Sequence, residues 1–421
     1  MLHRNAIATI ITTALAITPA AALAQTPGGP AGPPAPPPPP PPIGIPAPPP
    51  PPPPAVLAPA PVVVADATHM ANYVQTMLNH NAAGWQLAIA QNGKLAIARA
   101  DGTARTKIDN DGVRLKMKPT MRYELASLTK NFTALSTMKL LRLRGGGMSI
   151  DSPITTYLPP DWKPSAGIKT VTFRQLLTHS SGIKQAIAPL SDEKVKQLGL
   201  SGSYNGLREI VKLKVVPTPG VAYSNQNYQL LRVLNARMWK ASGAKLHDDK
   251  GNVLAVKAGT DWRYALDFLN SQVLHPSGIA TAGCDRPASS KTALNYYRPN
   301  VAQADKGAIA YWPANQCAGN AGLRLSSVEV VRYLAHLRHG KIVEPEDLAR
   351  MDALHLGWDK GSTTSVFRHG GDITISGVQV HTCGITFPDG TEAALIVNSP
   401  LGGGIPYQCN LLSNAWKNAR P

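Results

Sequence analysis

Several signatures are missing from this chain of 421 residues, and each absence removes a class of function. No set of Cys and His residues has zinc-ligand spacing, so no metal and no other cofactor is expected. Lys and Arg (42) exceed Asp and Glu (25), a formal charge of +17. The basic residues are scattered, without the blocks or aromatic-interleaved patches that bind nucleic acid. That excess allows a weak association with an anionic cell envelope and otherwise reads as solvated surface charge. There is no Gly-x-Ser-x-Gly elbow, which removes the α/β-hydrolase route to an activated serine. Gly145-Gly146-Gly147 has no strand before it and no Gly-Lys-Ser/Thr after it, so it is a helix stop and not a phosphate loop. The apolar stretch Ala6 to Ile17 falls short of the ~20 residues of a membrane span.

That short stretch follows a basic start (His3, Arg4) and precedes Ala22-Leu23-Ala24, the pattern of a secretory signal over 1–24. No Cys near the cleavage site suggests a lipid anchor, so the mature chain is expected to be exported, periplasmic or secreted. Residues 26–62 hold more than half of the 39 prolines, in two runs of seven and scattered singles. Proline fixes φ and removes the amide donor, so 25–65 reads as a polyproline II linker, a spacer or a docking arm. The globular composition of 66–421 suits one large core or two joined subdomains. Four cysteines in an exported chain suggest two disulfides, with three pairings possible. Cys383 and Cys409 share the C-terminal strand-and-helix region, and Cys284 and Cys317 flank one irregular stretch. Cys284–Cys317 and Cys383–Cys409 are the expected pairs.

Within the fold, Ala67 to Asn79 is an amphipathic helix. Strands from Trp85 and from Lys94 flank Asn92-Gly93, a hairpin signal. A short extended stretch, Met121 to Leu125, leads to Ser127 and a long apolar helix reaching about Arg144. Helical patterns and Pro/Gly loops dominate from 152 to about 326. Strand signals return at Val378 to Phe387 and at Glu392 to Asn398, joined by Pro388-Asp389-Gly390, and Asn410 to Ala419 closes as a helix. The predicted class is α+β: an antiparallel sheet formed from both ends of the domain and flanked by helices, with a mainly helical subdomain inserted. The cleft between the two is the natural site.

Ser127-Leu128-Thr129-Lys130, Tyr223-Ser224-Asn225 and His369-Gly370-Gly371 occur in the order of the S-x-x-K, Y-x-N, K/H-x-G signature. Ser-x-x-Lys alone is weak: it recurs at Ser136, Ser181, Ser191 and Ser242, but only Ser127 ends an extended stretch and opens a long helix. With Val171-Thr-Phe-Arg-Gln-Leu-Leu-Thr-His-Ser-Ser-Gly-Ile183, Pro219-Gly220 and Ala321-Gly-Leu-Arg-Leu-Ser326, the chain resembles the β-lactamase-related serine hydrolases over nearly all of 66–421. That family includes class C β-lactamases, DD-carboxypeptidases, D-aminopeptidases and lactamase-fold esterases, and the resemblance implies the β-lactamase/transpeptidase-like fold.

The resemblance also implies roles. Ser127 is the nucleophile and needs a base within hydrogen-bond reach. Lys130 lies one helical turn on, and Tyr223 is brought beside it. A solvated lysine would be charged, so burial must lower its pKa or depress the tyrosine, and either is the base. Asn225 meets the acyl side of the substrate. The Ser127 N–H and one after Gly371, at Asp372, form an oxyanion hole. Gly370 and Gly371 are expected to let substrate approach the strand, and His369 to meet it partly charged. His179 reads as structural. The family usually has Thr or Ser where Gly370 stands, and class C β-lactamases have Lys where His369 stands. Both changes count against β-lactam hydrolysis. The expected function is an exported serine hydrolase acting through an acyl-enzyme on a small-molecule or peptide substrate, as an esterase or a D-amino-acid/carboxypeptidase-type enzyme. The alternatives are a β-lactamase and a non-catalytic envelope or substrate-binding protein on the same fold.

Overall fold

The computed structural model describes residues 63–247, 252–254, 262–284, 292–309, 313–375 and 377–421. The expected signal and nearly all of the proline-rich linker lie outside the described residues. Helix α1 (Ala67–Leu78) is capped by Asp66, whose carboxylate accepts the His69 N–H. Strands β1 (Gly84–Gln91) and β2 (Lys94–Arg105) form the expected hairpin. Asn92 and Gly93 both take positive φ, 49° and 76°, which a two-residue turn matched to strand twist requires. A pair of residues, β3 (Leu115–Lys116), adds to the edge beside β2.

The chain then enters the site region through β4 (Tyr123–Glu124) and helix α2 (Thr129–Arg144). Helices α3 (Phe173–Leu177), α4 (Ile183–Ile187), α5 (Asp192–Gln197), α6 (Tyr204–Ile210), α7 (Asn225–Ala241) and α8 (Trp262–Leu269) make up the inserted part. The chain returns through β5 (Arg324–Leu325), which pairs with β4, and helices α9 (Ser327–Arg338) and α10 (Pro345–Ala353). Strands β6 (Phe367–Ile375), β7 (Val378–Thr386) and β8 (Thr391–Val397) and helix α11 (Gln408–Asn418) complete the fold.

The main sheet has the order β3-β2-β1-β8-β7-β6, antiparallel throughout. The two ends of the domain meet where β1 pairs with β8, from Trp85 opposite Val397 to Gln91 opposite Thr391. Successive side chains on a strand point to opposite faces. Leu87, Ile89, Leu395 and Val397 therefore pack with Met70, Val74 and Leu412 of α1 and α11. Ala88, Ala90, Ala394 and Ile396 pack with Leu128, Phe132, Val330 and Leu334 on the other face. Both faces are covered, which is why the central strands read as continuous apolar runs. The inserted helices join this body where α7 lies on α2, with the Thr137 hydroxyl 3.0 Å from Asn235 Oδ1 in the buried seam.

Both disulfides pair as the placement of the cysteines indicated: Cys284–Cys317 and Cys383–Cys409. The second fastens α11 to β7. Replacing Cys383 and Cys409 together by Ala should cost about 2–4 kcal/mol through the freer unfolded chain. The check is the midpoint of thermal unfolding by circular dichroism, under non-reducing conditions. An unchanged midpoint would show that the helix holds its place by packing alone.

Candidate active site

The candidate nucleophile, Ser127, sits on a tight turn and not on a simple helix start. Residues Ala126–Leu128 form a 3₁₀ turn that runs into α2, and Ala126 takes φ of 50°, unusual for a residue with a side chain. Two contacts hold that conformation. Glu124, buried, accepts the Ala126 N–H (3.1 Å) and the Gly322 N–H (2.7 Å) on Oε1. Thr382 of β7 donates its hydroxyl to the Leu125 carbonyl at 2.7 Å. Burial raises the Glu124 pKa to about 7, opposed by the nearby Arg324 and the two amides.

On this turn Ser127 Oγ lies 2.9 Å from Lys130 Nζ and 2.8 Å from the Tyr223 hydroxyl. Lys130 is fully buried, and its second contact is the Asn320 carbonyl at 3.0 Å. Neither contact is a carboxylate, so burial drives its pKa well below the ordinary lysine value. Tyr223 shifts the other way, to about 12: burial dominates, the Ser127 hydrogen bond opposes it, and Asp359 and Asp372 add to it. Tyr223 is 44% exposed as a residue, while its hydroxyl end is turned onto Ser127. The ammonium or amine of Lys130 stands 4.8 Å from the ring centre.

His179 explains how the Tyr223 loop reaches this position. Its carbonyl accepts the Ala222 N–H (2.8 Å) and the Ser180 carbonyl accepts that of Thr218 (3.0 Å). Its Nδ1 accepts the Ser224 N–H at 3.2 Å, and its ring lies 4.5 Å from that of Tyr223 and 5.1 Å from that of Tyr228. Burial, with Lys130 close by, lowers its pKa to about 3, which keeps Nδ1 an acceptor. Asn225 opens α7 two residues after Tyr223 and is exposed; the buried amide of this segment is Asn227, bonded to Ser181 at 2.7 Å.

The third motif departs from expectation at all three residues. His369 is buried, and its Nδ1 meets the Gly357 carbonyl at 2.7 Å, an acceptor it shares with the Asn131 amide. Burial and the neighbouring Lys130 hold its pKa well below the ordinary value, so it is neutral and not partly charged. The glycines leave no open room either. A Cβ on Gly371 would collide with the Leu125 carbonyl and the Thr382 hydroxyl, so glycine here lets β6 lie against the nucleophile turn. A Cβ on Gly370, on the other face of the strand, would fall within about a covalent bond length of the Tyr407 hydroxyl. The edge of β6 does present amides: the N–H groups of Arg368 and Gly370 point away from β7, to Ser362 and Asp359. Alternation along the strand puts the Asp372 N–H on that same side. The Asp372 carboxylate is turned to His381 Nδ1 (2.5 Å) and the Gln408 amide (3.1 Å).

Glu124, Asn320, Asp359 and Tyr407 were not among the sequence candidates. Glu124 had a signal, the one acidic residue in the extended stretch Met121 to Leu125, three residues before the serine. Asn320 acts through its backbone, which composition cannot show, and Tyr407 is placed only by packing. Among the described residues, no group of three or more His, Cys, Asp or Glu is arranged to hold a metal.

Known proteins resemble this chain in sequence and in fold. Residues 67–242 match the family described as Beta-lactamase. "Protein flp" of Staphylococcus aureus (strain COL) is 28% identical over 169 residues, covering 38% of this chain and 31% of that protein. The chain thus matches about a third of the length of that relative. Among solved structures, EstCE1, "a hydrolase with promiscuous acyltransferase activity", superposes with a TM-score of 0.60 at 15% identity, over 83% of this chain and 99% of that one. The D-amino acid amidase from Ochrobactrum anthropi SV3 gives 0.57 at 18% identity, over 84% and 99%. FmtA from Staphylococcus aureus gives 0.57 at 17%, over 85% and 92%. Identities this low establish the shared β-lactamase/transpeptidase-like fold.

The buried histidines set a pH dependence. An unfolded histidine takes up a proton near pH ~6.5, whereas His179 resists protonation down to about pH 3. Its native environment therefore costs no stability above the unfolded value and loses ground as pH falls towards 3. The thermal midpoint should drop between pH 6.5 and 4, and His179→Gln should drop less steeply over that interval. Equal slopes for the two proteins would mean that other groups carry the effect.

Proposed function

We propose that this chain, which shares the fold of the β-lactamase-related serine hydrolases, cleaves an uncharged ester or amide through a covalent acyl-enzyme on Ser127. The observation that carries the reading is the triangle of Ser127 Oγ, Lys130 Nζ and Tyr223 hydroxyl, all within 2.9 Å of the serine oxygen. The opposed pKa shifts divide the labour. A neutral Lys130, with one N–H on the Asn320 carbonyl, has its lone pair free for the Ser127 proton, while Tyr223 stays a protonated phenol. Lys130 accepts the serine proton as Oγ bonds to the substrate carbonyl carbon. The oxyanion is met by the N–H groups of Ser127 and Asp372, each such donor typically worth ~3 kcal/mol of barrier. Collapse breaks the bond to the leaving group, which receives the proton from Lys130 through the Tyr223 hydroxyl. Water then attacks the ester on Ser127 by the same route in reverse, releasing the acid and restoring the serine. Glu124 and His179 are positioning residues for the serine turn and the tyrosine loop.

Electrostatics support uncharged substrates over penicillins and cephalosporins. His369 is neutral, Arg368 is spent on Asp359 at 3.3 Å, and the carboxylates of Asp359 and Asp372 lie close enough to raise the pKa of Tyr223. A substrate carboxylate would find no free cation among the described residues of this wall. Neighbours described as a hydrolase with promiscuous acyltransferase activity and a D-amino acid amidase suit the same reading. Two disulfides suit an exported protein, as does the signal-like start, with the proline-rich segment a spacer to the envelope or to solvent.

Two experiments test this. Fluorophosphonate should label Ser127 and none of Ser136, Ser181, Ser191 or Ser242, as read by peptide mapping; an adduct elsewhere overturns the assignment. Short p-nitrophenyl esters should be turned over with higher kcat/KM than any chromogenic cephalosporin. Lys130→Ala and Tyr223→Phe should each cost at least ~10²-fold in acylation, and the double variant far less than the product, since one proton passes through both. Multiplicative losses would separate their roles.

A further inference from the structure

The hydroxyl missing from position 370 is present in the site, carried by a different element. We propose that Tyr407, at the start of α11, is a specificity-determining residue that offers its phenol to an uncharged carbonyl on the leaving-group side of the substrate. The inference rests on the hydrolase reading of Ser127. It stands on four observations. First, a Cβ at Gly370 would come within about a covalent bond length of the Tyr407 oxygen. That oxygen therefore fills the shell in which a Ser or Thr hydroxyl at 370 would sit. Glycine at 370 and tyrosine at 407 are one unit: any larger residue at 370 would expel the phenol.

Second, the hydroxyl bonds to no protein group among the described residues, and Tyr407 is 37% exposed, so its oxygen is open to a ligand. It is a donor and acceptor that lies over Gly370, two residues before Asp372. Third, its position is enforced. Tyr407 is the N-cap of α11, Cys409 follows two residues on, and its disulfide partner Cys383 is the register partner of Gly370 across β6 and β7. The crosslink thus ties the helix start to the strand segment that the phenol covers. Fourth, the surroundings choose the ligand. Asp372, Asp359, Arg368 and Tyr223 all lie close enough to perturb Tyr407, and Arg368 is already paired with Asp359. Burial and the two carboxylates hold the phenol protonated. A protonated phenol beside two carboxylates donates well to a neutral carbonyl, while an anionic group would be repelled.

Three esters of one acyl group, with lactamide, lactate or ethanol as leaving group, test this with the full chain. Tyr407→Phe keeps the ring and removes the oxygen. It should raise KM for the lactamide ester ~10-fold, the size of one lost hydrogen bond, with little change in kcat and none in the ethyl ester. The wild type should prefer the lactamide ester to the lactate ester. Gly370→Ser alone, which crowds the phenol aside, should lower the lactamide preference, and Gly370→Ser with Tyr407→Ala should restore it by returning an oxygen to the same shell without the clash. Equal effects of Tyr407→Phe on the lactamide and ethyl esters, or no effect on either, would overturn the proposal. So would a double variant no better than Gly370→Ser. Fluorophosphonate labelling separates the two levels: a wild type that labels at Ser127 while Tyr407→Phe behaves identically removes only the role of Tyr407. A wild type that neither labels nor turns over any ester removes the hydrolase reading and this inference together.

Discussion

The site depends on one buried amine. Lys130 has been taken out of water without a carboxylate to balance it, and its two contacts, a serine hydroxyl and a backbone carbonyl, are satisfied by a neutral amine. Keeping a charge there would be costly, so folding itself favours a neutral amine beside Ser127. The burial needs three separate stretches to close over α2: the segment holding Asn320, the loop holding Tyr223 and the edge strand holding His369. Each is fastened near its contribution. Cys317 is bonded to Cys284 three residues before Asn320, His179 grips the loop at Ala222 and Ser224, and His369 and Asn131 share the Gly357 carbonyl.

Strain and desolvation are concentrated in the same place. Ala126 is held in a left-handed conformation by a carboxylate that is itself buried, and two histidines are kept neutral beside the lysine. Neutral His179 and His369 are physically consistent with Lys130, since a nearby imidazolium would push the lysine pKa further down while raising the cost of burial. The three groups form one low-dielectric environment, in which changing the protonation of any one shifts the others.

Much of the fold was legible because it follows from local rules. The Asn92-Gly93 turn, the alternation that buries β1 and β8 on both faces, the helix of Ser127 and the glycine stop after Arg144 all depend on neighbouring residues. The cysteine pairs were legible from chain distance and context. The glycines of the third motif misled for a physical reason. A glycine in a sequence signals missing volume, but not what fills it. At Gly371 the volume belongs to the nucleophile turn, and at Gly370 to a tyrosine 37 positions further along the chain. His369 was expected to meet substrate partly charged for the same reason: its ordinary pKa describes an imidazole in water, and only the packed site buries it against Lys130.

The sequence by itself determined the candidate nucleophile and its partners, the order of elements and the crosslinks, because motif spacing and periodicity are properties of the chain. Tertiary structure alone decided which groups are charged, where the space in the site lies, and which backbone atoms serve it. Those depend on desolvation and on contacts between residues hundreds of positions apart, such as Glu124 with Gly322 and Leu125 with Thr382. Neither composition nor spacing encodes such contacts, because they arise only when the two ends of the domain close into one sheet.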